Sequence, residues 1–331
     1  MISVVIPTYN AAKFIGFAIE SIVRQTYTDW ELIIVDDCST DNTVAVVEHY
    51  RKANDKIRLI ERKSNSGGAR KPRYDGILAA KGDLVTHIDS DDFIEDRFLE
   101  KLLAKKEETG VDLVLSLLRY CGSNGEPDER QIPSKSFDFD RIMTGEEACK
   151  LTIGAWQLNL AGLLIDTARY QSFVSEIYDD DCNSCFNDEL DYRKLLLSVS
   201  NVAVCDATYY YRQHTASVVH LSVSQYIDRM NQIIPLYSFI AAIVHDDSII
   251  RELNAYYIHC LYIAESTFLQ QRKTLDRDSK EKARLNIRRA YSFLKEKKIR
   301  GNGIKFYLIS RSFSLLWVIA SLRNLVTKIK K

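Results

Sequence analysis

A short unit repeated along the first 90 residues constrains this chain more than any other feature. Ile2-Ser3-Val4-Val5-Ile6 is a β-branched run stopped by Pro7, and residues 12–25 then place Phe14, Ile15, Ala18, Ile19, Ile22 and Val23 at helical spacing. The unit recurs as a strand over 31–35, a helix over 43–51, a strand over 57–60, a helix over 69–80 and a strand over 84–88. Strands separated by single helices return through right-handed crossovers. They build an α/β fold with a mostly parallel sheet covered on both faces.

Beyond that sheet the pattern changes twice. Residues 111–118 read as another strand, after which 122–140 is polar and broken by Pro127 and Pro133, as a loop between two halves would be. A helix near Glu146, an apolar stretch over 160–165, a helix over 188–199 and a strand-like run over 201–214 make up the second half. From residue 221 onward the periodicity is helical throughout. The 331 residues, 46% apolar and 27% charged with no low-complexity segment, suit roughly two domains. The expected division is 1–120 and 121–220 as halves of one domain, followed by a helical basic extension over 221–331.

The net charge of zero hides an asymmetry. Residues 1–220 carry 25 Lys+Arg against 36 Asp+Glu, whereas 221–331 carry 20 against 9, so the two parts are near −11 and +11. With no nucleic-acid motif in view, the basic end is expected to meet an anionic membrane surface. Trp317 and neighbouring apolar residues among these cations fit either an interfacial helix or one packed on the protein or on a dimer partner, so a homodimer stays open. No run is long and apolar enough to span a bilayer, and no signal peptide opens the chain. Seven scattered cysteines do not resemble a disulfide framework and fit a reducing cytoplasm, while Cys182-Asn183-Ser184-Cys185 lacks a second pair to complete a zinc site.

Chemistry concentrates at the predicted strand ends. Asp89-Ser90-Asp91-Asp92 follows the strand at 84–88, at the carboxyl end where open α/β sheets bind ligands. Asp89 and Asp91 offer hard oxygens to Mg²⁺ or Mn²⁺, ions that complete their shells with substrate phosphates and water. A solvated acidic turn capping the next helix is the competing reading. Three more features fall on the same side of the sheet: Pro7-Thr8-Tyr9-Asn10, Asp36-Asp37-Cys38-Ser39, and the loop from Asn65 through Gly67-Gly68 to Arg73.

In order and spacing these elements resemble the inverting family-two nucleotide-sugar glycosyltransferases of the GT-A fold, over about residues 1–217. The resemblance assigns Pro7, Tyr9, Asp36 and Asp37 to the donor nucleotide, and Arg70 or Arg73 to its diphosphate. It makes Asp89 and Asp91 metal ligands, with Asp89 also at the donor. Arg212 is implied at phosphate and His214 as completing the metal shell. The catalytic base would come from Asp188-Glu189, reversed from the family's usual Glu-Asp. By position Glu189 is first choice and Asp188 the second, with a helix cap as the competing reading. Cys38 stands where the family usually has Gly, and Lys71-Pro72 replaces its usual Asn. Trp156 and Gln157 lie in the acceptor half.

What the resemblance implies is a metal-dependent enzyme using Mn²⁺ or Mg²⁺. It would move a sugar from a nucleoside-diphosphate sugar, a UDP-sugar by preference, to a hydroxyl of a glycan or lipid-linked acceptor. The setting implied is bacterial surface polysaccharide synthesis, at the inner face of the membrane. A nucleotidyltransferase is a rival, but it should carry a Gly-rich, basic loop after the first strand, which Pro7 to Asn10 is not. A non-catalytic nucleotide-sugar-binding module is the rival from outside enzymes.

Overall fold

The repeated unit becomes four parallel strands in a computed structural model, which describes residues 1–128, 138–153, 161–178, 187–214, 223–300, 309, 312 and 315–320, without the side chains of 187, 188 and 223–232. Strands β1 (Ile2–Thr8), β2 (Trp30–Asp36), β3 (Ile57–Glu61) and β4 (Leu84–His87) lie in the order β3-β2-β1-β4. Helices α1 (Ile15–Val23), α2 (Thr43–Ala53) and α3 (Arg70–Leu78) make the crossovers. The register sets Thr8 opposite Asp36, Asp36 opposite Glu61 and Val5 opposite His87. The loops after β1, β2 and β4 therefore leave the sheet along one edge.

The second half adds β5 (Phe93–Ile94), α4 (Phe98–Thr109), β6 (Leu113–Cys121), β7 (Ile142–Thr144), α5 (Gly145–Thr152), β8 (Leu164–Asp166), α6 (Thr167–Ile177), α7 (Asn187–Ser198) and β9 (Asn201–Arg212). They extend the same sheet as β4-β8-β6-β9-β5, with β7 also on β9. Here the sheet is mixed: β8 runs antiparallel to β4 and β6, β6 and β9 are parallel, and β5 and β7 are antiparallel to β9. The segment at Phe93, read as leading directly into a helix, first forms β5 by pairing with Tyr209 and Tyr210. That pairing joins residues far apart in sequence, so local periodicity carries no trace of it.

Every residue of β1 and β2 is buried, as strands covered on both faces must be. Helix α1 lays Ile15, Ala18, Ile19 and Ile22 against them. On α3, Gly76 lets the helix approach closely: a Cβ there would overlap Val5 Cγ1 and stand 3.1 Å from Val35 Cγ2.

The described residues fall into two compact units, Met1–Thr215 and Ala216–Lys331. In the second, α8 (Val223–Ile243), α9 (Asp247–Gln271) and α10 (Arg277–Glu296) pack pairwise. Asp246 caps α9 through the Ser248 N–H and Asp276 caps α10 through the Ser279 N–H. The rings of Tyr237, Tyr257 and Phe293 meet as a triangle with centroids 5.6–5.7 Å apart, and the Tyr257 hydroxyl donates to the Ala290 carbonyl at 2.8 Å. No described helix is long and apolar enough to cross a membrane.

Gly76 yields a direct test of the sheet packing. Alanine would gain about 1 kcal/mol of helix propensity but force an overpacked contact costing about 1–3 kcal/mol. Gly76→Ala is expected to lower the urea midpoint, and Gly76→Val to lower it further. An unchanged midpoint in both would mean that α3 has room to shift away from β1.

Candidate active site

The acidic turn after β4 is held from below by its own last member. Asp92 is 1% exposed, and one of its oxygens accepts from the Arg212 N–H at 2.8 Å. The other accepts from the Tyr209 hydroxyl at 2.7 Å, and that hydroxyl in turn accepts from the Asp89 N–H at 3.0 Å. Strand β9 thus grips both ends of the turn. Asp89 and Asp91 remain about one third exposed. The helix that follows has Arg97 at its N-cap and no side-chain cap bond, so the capping alternative for these acids is not what the fold uses.

Each exposed acid has a cationic or imidazole neighbour. Asp91 Oδ2 lies 2.9 Å from His214 Nε2, and Asp89 Oδ1 lies 3.2 Å from Arg73 Nη2. Phe14, in the loop before α1, stacks on the His214 ring with centroids 4.4 Å apart, which fixes the imidazole plane. A carboxylate oxygen and an imidazole nitrogen at contact distance suit a divalent ion in donor chemistry. Among the described residues no three His, Cys, Asp or Glu side chains converge as a full metal cluster. The protein therefore offers a partial shell, Asp91 with His214, of the sort that phosphate oxygens and water complete around Mg²⁺-like ions.

On the neighbouring loops the paired acids Asp36 and Asp37 are both 2% exposed. Asp37 accepts from the N–H and hydroxyl of Ser66, at 2.9 and 2.8 Å, and pairs with Arg62. It anchors the glycine loop. Asp36 Oδ2 accepts from the Ser39 N–H at 2.9 Å, while Oδ1 is a buried acceptor without a partner among the described residues. The start of α2 is tied instead by Asp41, which accepts from the Thr43 N–H, so Asp36 and Asp37 are not its caps. Cys38 has φ +68°, a left-handed backbone that explains why glycine is at home there. Tyr9 stands 49% exposed, whereas Pro7 is buried within β1 opposite Val35.

Two arginines expected at the diphosphate are instead engaged inside the fold. Arg70 is 6% exposed and donates Nε to Asp191 at 2.6 Å and Nη2 to the Ile177 carbonyl at 2.8 Å. The Tyr74 hydroxyl meets the same Asp191 carboxylate at 2.6 Å. Arg212 is 2% exposed and donates to the carbonyls of Asp91 at 2.9 Å and Ser123 at 3.0 Å, with its guanidinium against Phe14, Phe17 and Phe93. Buried guanidinium groups need such partners, and here they brace the site from behind. Arg73 is the arginine at the acidic turn. Pro72, in the first turn of α3, costs that helix no intrahelical bond.

Asp191 escaped the sequence reading, which stopped at the adjacent acids Asp188 and Glu189. Its signal was an acid one helical turn beyond Asp188. The Arg70–Asp191 pair carries the first turn of α7 to the glycine loop. There Glu189 receives Arg193 Nη2 at 3.1 Å, and the same nitrogen donates to the Thr152 carbonyl at 2.8 Å. The side chain of Asp188 lies outside the described residues, as do Trp156, Gln157, Cys182 and Cys185.

Comparison with known proteins supplies independent findings. Residues 3–164 match the family model described as Glycosyl transferase family 2. The chain is 28% identical over 232 residues to the glycosyltransferase GlyG of Streptococcus pneumoniae, covering 66% of this chain and 73% of that protein. It is 32% identical over 216 residues to the poly(ribitol-phosphate) beta-N-acetylglucosaminyltransferase TarS of Staphylococcus aureus, covering 63% of this chain and 35% of that one. The chain thus spans about a third of TarS. The crystal structure of S. aureus TarS 1–349 with UDP-GlcNAc aligns with a TM-score of 0.55 at 19% identity, over 89% of this chain and 92% of that one. The mannosyltransferase PcManGT of Pyrobaculum calidifontis, with GDP-Man and Mn²⁺, aligns with a TM-score of 0.54 at 14% identity, over 98% and 86%. At such identities the structural likeness shows the GT-A fold.

Asp92 gives the site a pH signature. Burial first, then the charges of Asp91 and Asp89, push its carboxyl well above the usual range. The folded protein therefore holds this proton more tightly than the unfolded chain, whose carboxyl titrates near about 3.9. The stabilisation is complete below that value and is lost as pH rises through the raised folded pKa. In metal-free buffer, the stability of Asp92→Asn relative to the parent is expected to improve as pH rises across this window. Urea midpoints measured against pH decide it, and parallel curves would remove Asp92 from the titration.

Proposed function

The chain belongs to glycosyl transferase family 2, and from that premise we propose that it transfers a sugar, with inversion, from a nucleoside-diphosphate sugar to an acceptor hydroxyl. The observation that carries this reading is the pair of contacts on the acidic turn, Asp91 with His214 and Asp89 with Arg73. They sit on the sheet edge where the Tyr9 and Asp36 loops also emerge.

In this reading residues 1–120 hold the donor and 121–220 receive the acceptor. Tyr9 offers an exposed ring to the base, and Asp36 offers an acceptor oxygen that the protein leaves unmet. Arg73 faces the diphosphate beside Asp89. Asp91 and His214 would hold Mn²⁺ or Mg²⁺, which when bound neutralises charge on the departing diphosphate. Arg70 and Arg212 act as positioning residues through Asp191 and the Asp91 carbonyl. Glu189, oriented by Arg193, takes the proton of the acceptor hydroxyl as its oxygen bonds to the anomeric carbon from the face opposite the leaving nucleotide.

The relatives support a particular substrate class. TarS is crystallised with UDP-GlcNAc and is described as acting on poly(ribitol-phosphate), and PcManGT is crystallised with GDP-Man and Mn²⁺. These relatives support the proposal of a UDP-sugar donor, and of an acceptor among bacterial surface polymers or their lipid-linked precursors, for this chain. The basic extension over 221–331 would keep the enzyme at the anionic inner face of the membrane, where such precursors are presented.

Two substitutions separate the roles. Asp91→Ala is expected to abolish most of the Mn²⁺-dependent part of UDP affinity in calorimetry, and equal, metal-insensitive binding in variant and parent would retire the metal assignment. Glu189→Gln should leave UDP affinity intact while lowering turnover by roughly 10²–10⁴-fold. Unchanged turnover there moves the base to Asp188, for which Asp188→Asn is the matching test.

A further inference from the structure

In the helical unit, one face of α9, one face of α10 and Trp317 border an open concavity of about 110 Å³. Glu265 and Phe268 of α9 and its C-cap Arg272 line it at helical spacing, with Arg284 and Arg288 one turn apart on α10, and Leu269 and Ile287 add apolar wall. The three arginines are exposed, whereas Glu265 is 4% exposed. Among the described residues Glu265 has no hydrogen-bond partner, and no arginine closes an ion pair with it. Burial raises its carboxyl pKa, and the charges of Arg284 and Arg272 only moderate that rise.

A buried carboxylate is costly unless a donor meets it, and three guanidinium groups around one concavity repel each other unless an anion joins them. The guanidinium of Arg284 lies 5.8 Å over the Phe268 ring, which orients its fork of N–H donors. Guanidinium forks match phosphate oxygens bidentately. Trp317 and Phe268 supply flat apolar faces for a carbon skeleton. We propose that this concavity binds a polyol phosphate unit, with the phosphate on Arg272, Arg284 and Arg288 and a neighbouring hydroxyl donated to Glu265.

The concavity is small for a whole nucleotide, and a lipid headgroup, which shares the phosphate chemistry, is separated from a soluble polyol phosphate by the vesicle arm of the test. The site lies wholly within the helical unit and does not rest on the sugar-transfer reading.

Titration of the full-length protein with sn-glycerol 3-phosphate, with inorganic phosphate as comparator and phosphatidylglycerol vesicles as a third arm, tests it by calorimetry. Glycerol 3-phosphate is expected to bind more tightly than inorganic phosphate. The double change Arg284→Gln with Arg288→Gln should weaken binding by about tenfold or more, and Lys at both positions should also weaken it, because the charge stays but the fork is lost. Glu265→Gln should narrow the gap between the two ligands. UDP affinity, measured alongside, should stay at the parent value and so reports folding and the donor site independently. Failure of glycerol 3-phosphate to bind, binding indifferent to the arginine changes, or binding confined to vesicles would each overturn the proposal.

Discussion

Everything at the candidate site hangs on one buried carboxylate. Asp92 ties the acidic turn to β9 through the Arg212 N–H and the Tyr209 hydroxyl, and Tyr209 passes the constraint on to Asp89. A turn carrying three adjacent acids would otherwise splay under its own repulsion. With the third acid drawn inward and hydrogen-bonded, Asp89 and Asp91 are held at the surface beside Arg73 and His214. The short pairing of β5 with β9 closes the turn from its other end.

Around this clamp, cations serve mostly as internal braces. Arg70, Arg193 and Arg212 are each almost wholly buried, and each is engaged by carbonyls or carboxylates of the surrounding elements. A guanidinium group has five donors in a rigid plane, so one side chain can join several backbone segments that no sheet or helix links directly. Arg70 joins α3 to α7 through Asp191 and to the end of α6 through Ile177. Such bonds hold a candidate base on α7 and the glycine loop before α3 in fixed relation, which is what transfer between two bound substrates requires.

The helical unit has a different economy of charge. Its arginines lie on the outside of α9 and α10, while one acid, Glu265, is drawn under them without a hydrogen bond. The buried arginines of the first unit are engaged by the fold, whereas Arg272, Arg284 and Arg288 stand exposed.

Much of this was legible in residues 1–95, where periodicity alternates between two and 3.6 and local pattern decides element type. The parallel run of β1 to β4, the side carrying the loops, the acidic turn and most of the motifs behind the family resemblance are read from that stretch, whereas the strand order β3-β2-β1-β4 is not. The helical character of 221–300 was equally plain. What the chain's order could not settle was partnership. Asp92 looks like Asp89 and Asp91 in the sequence, and only the return of β9 makes it an anchor. Arg70 looks like a phosphate ligand until α7 brings Asp191 to it. Strand β8 turns antiparallel in mid-sheet, and β5 exists only because Tyr209 and Tyr210 lie beside it. Local spacing determines helices, strands and loops, because those depend on neighbours in the chain. Which charge is buried, and by what it is satisfied, depends on neighbours in space, and that only the tertiary structure decided.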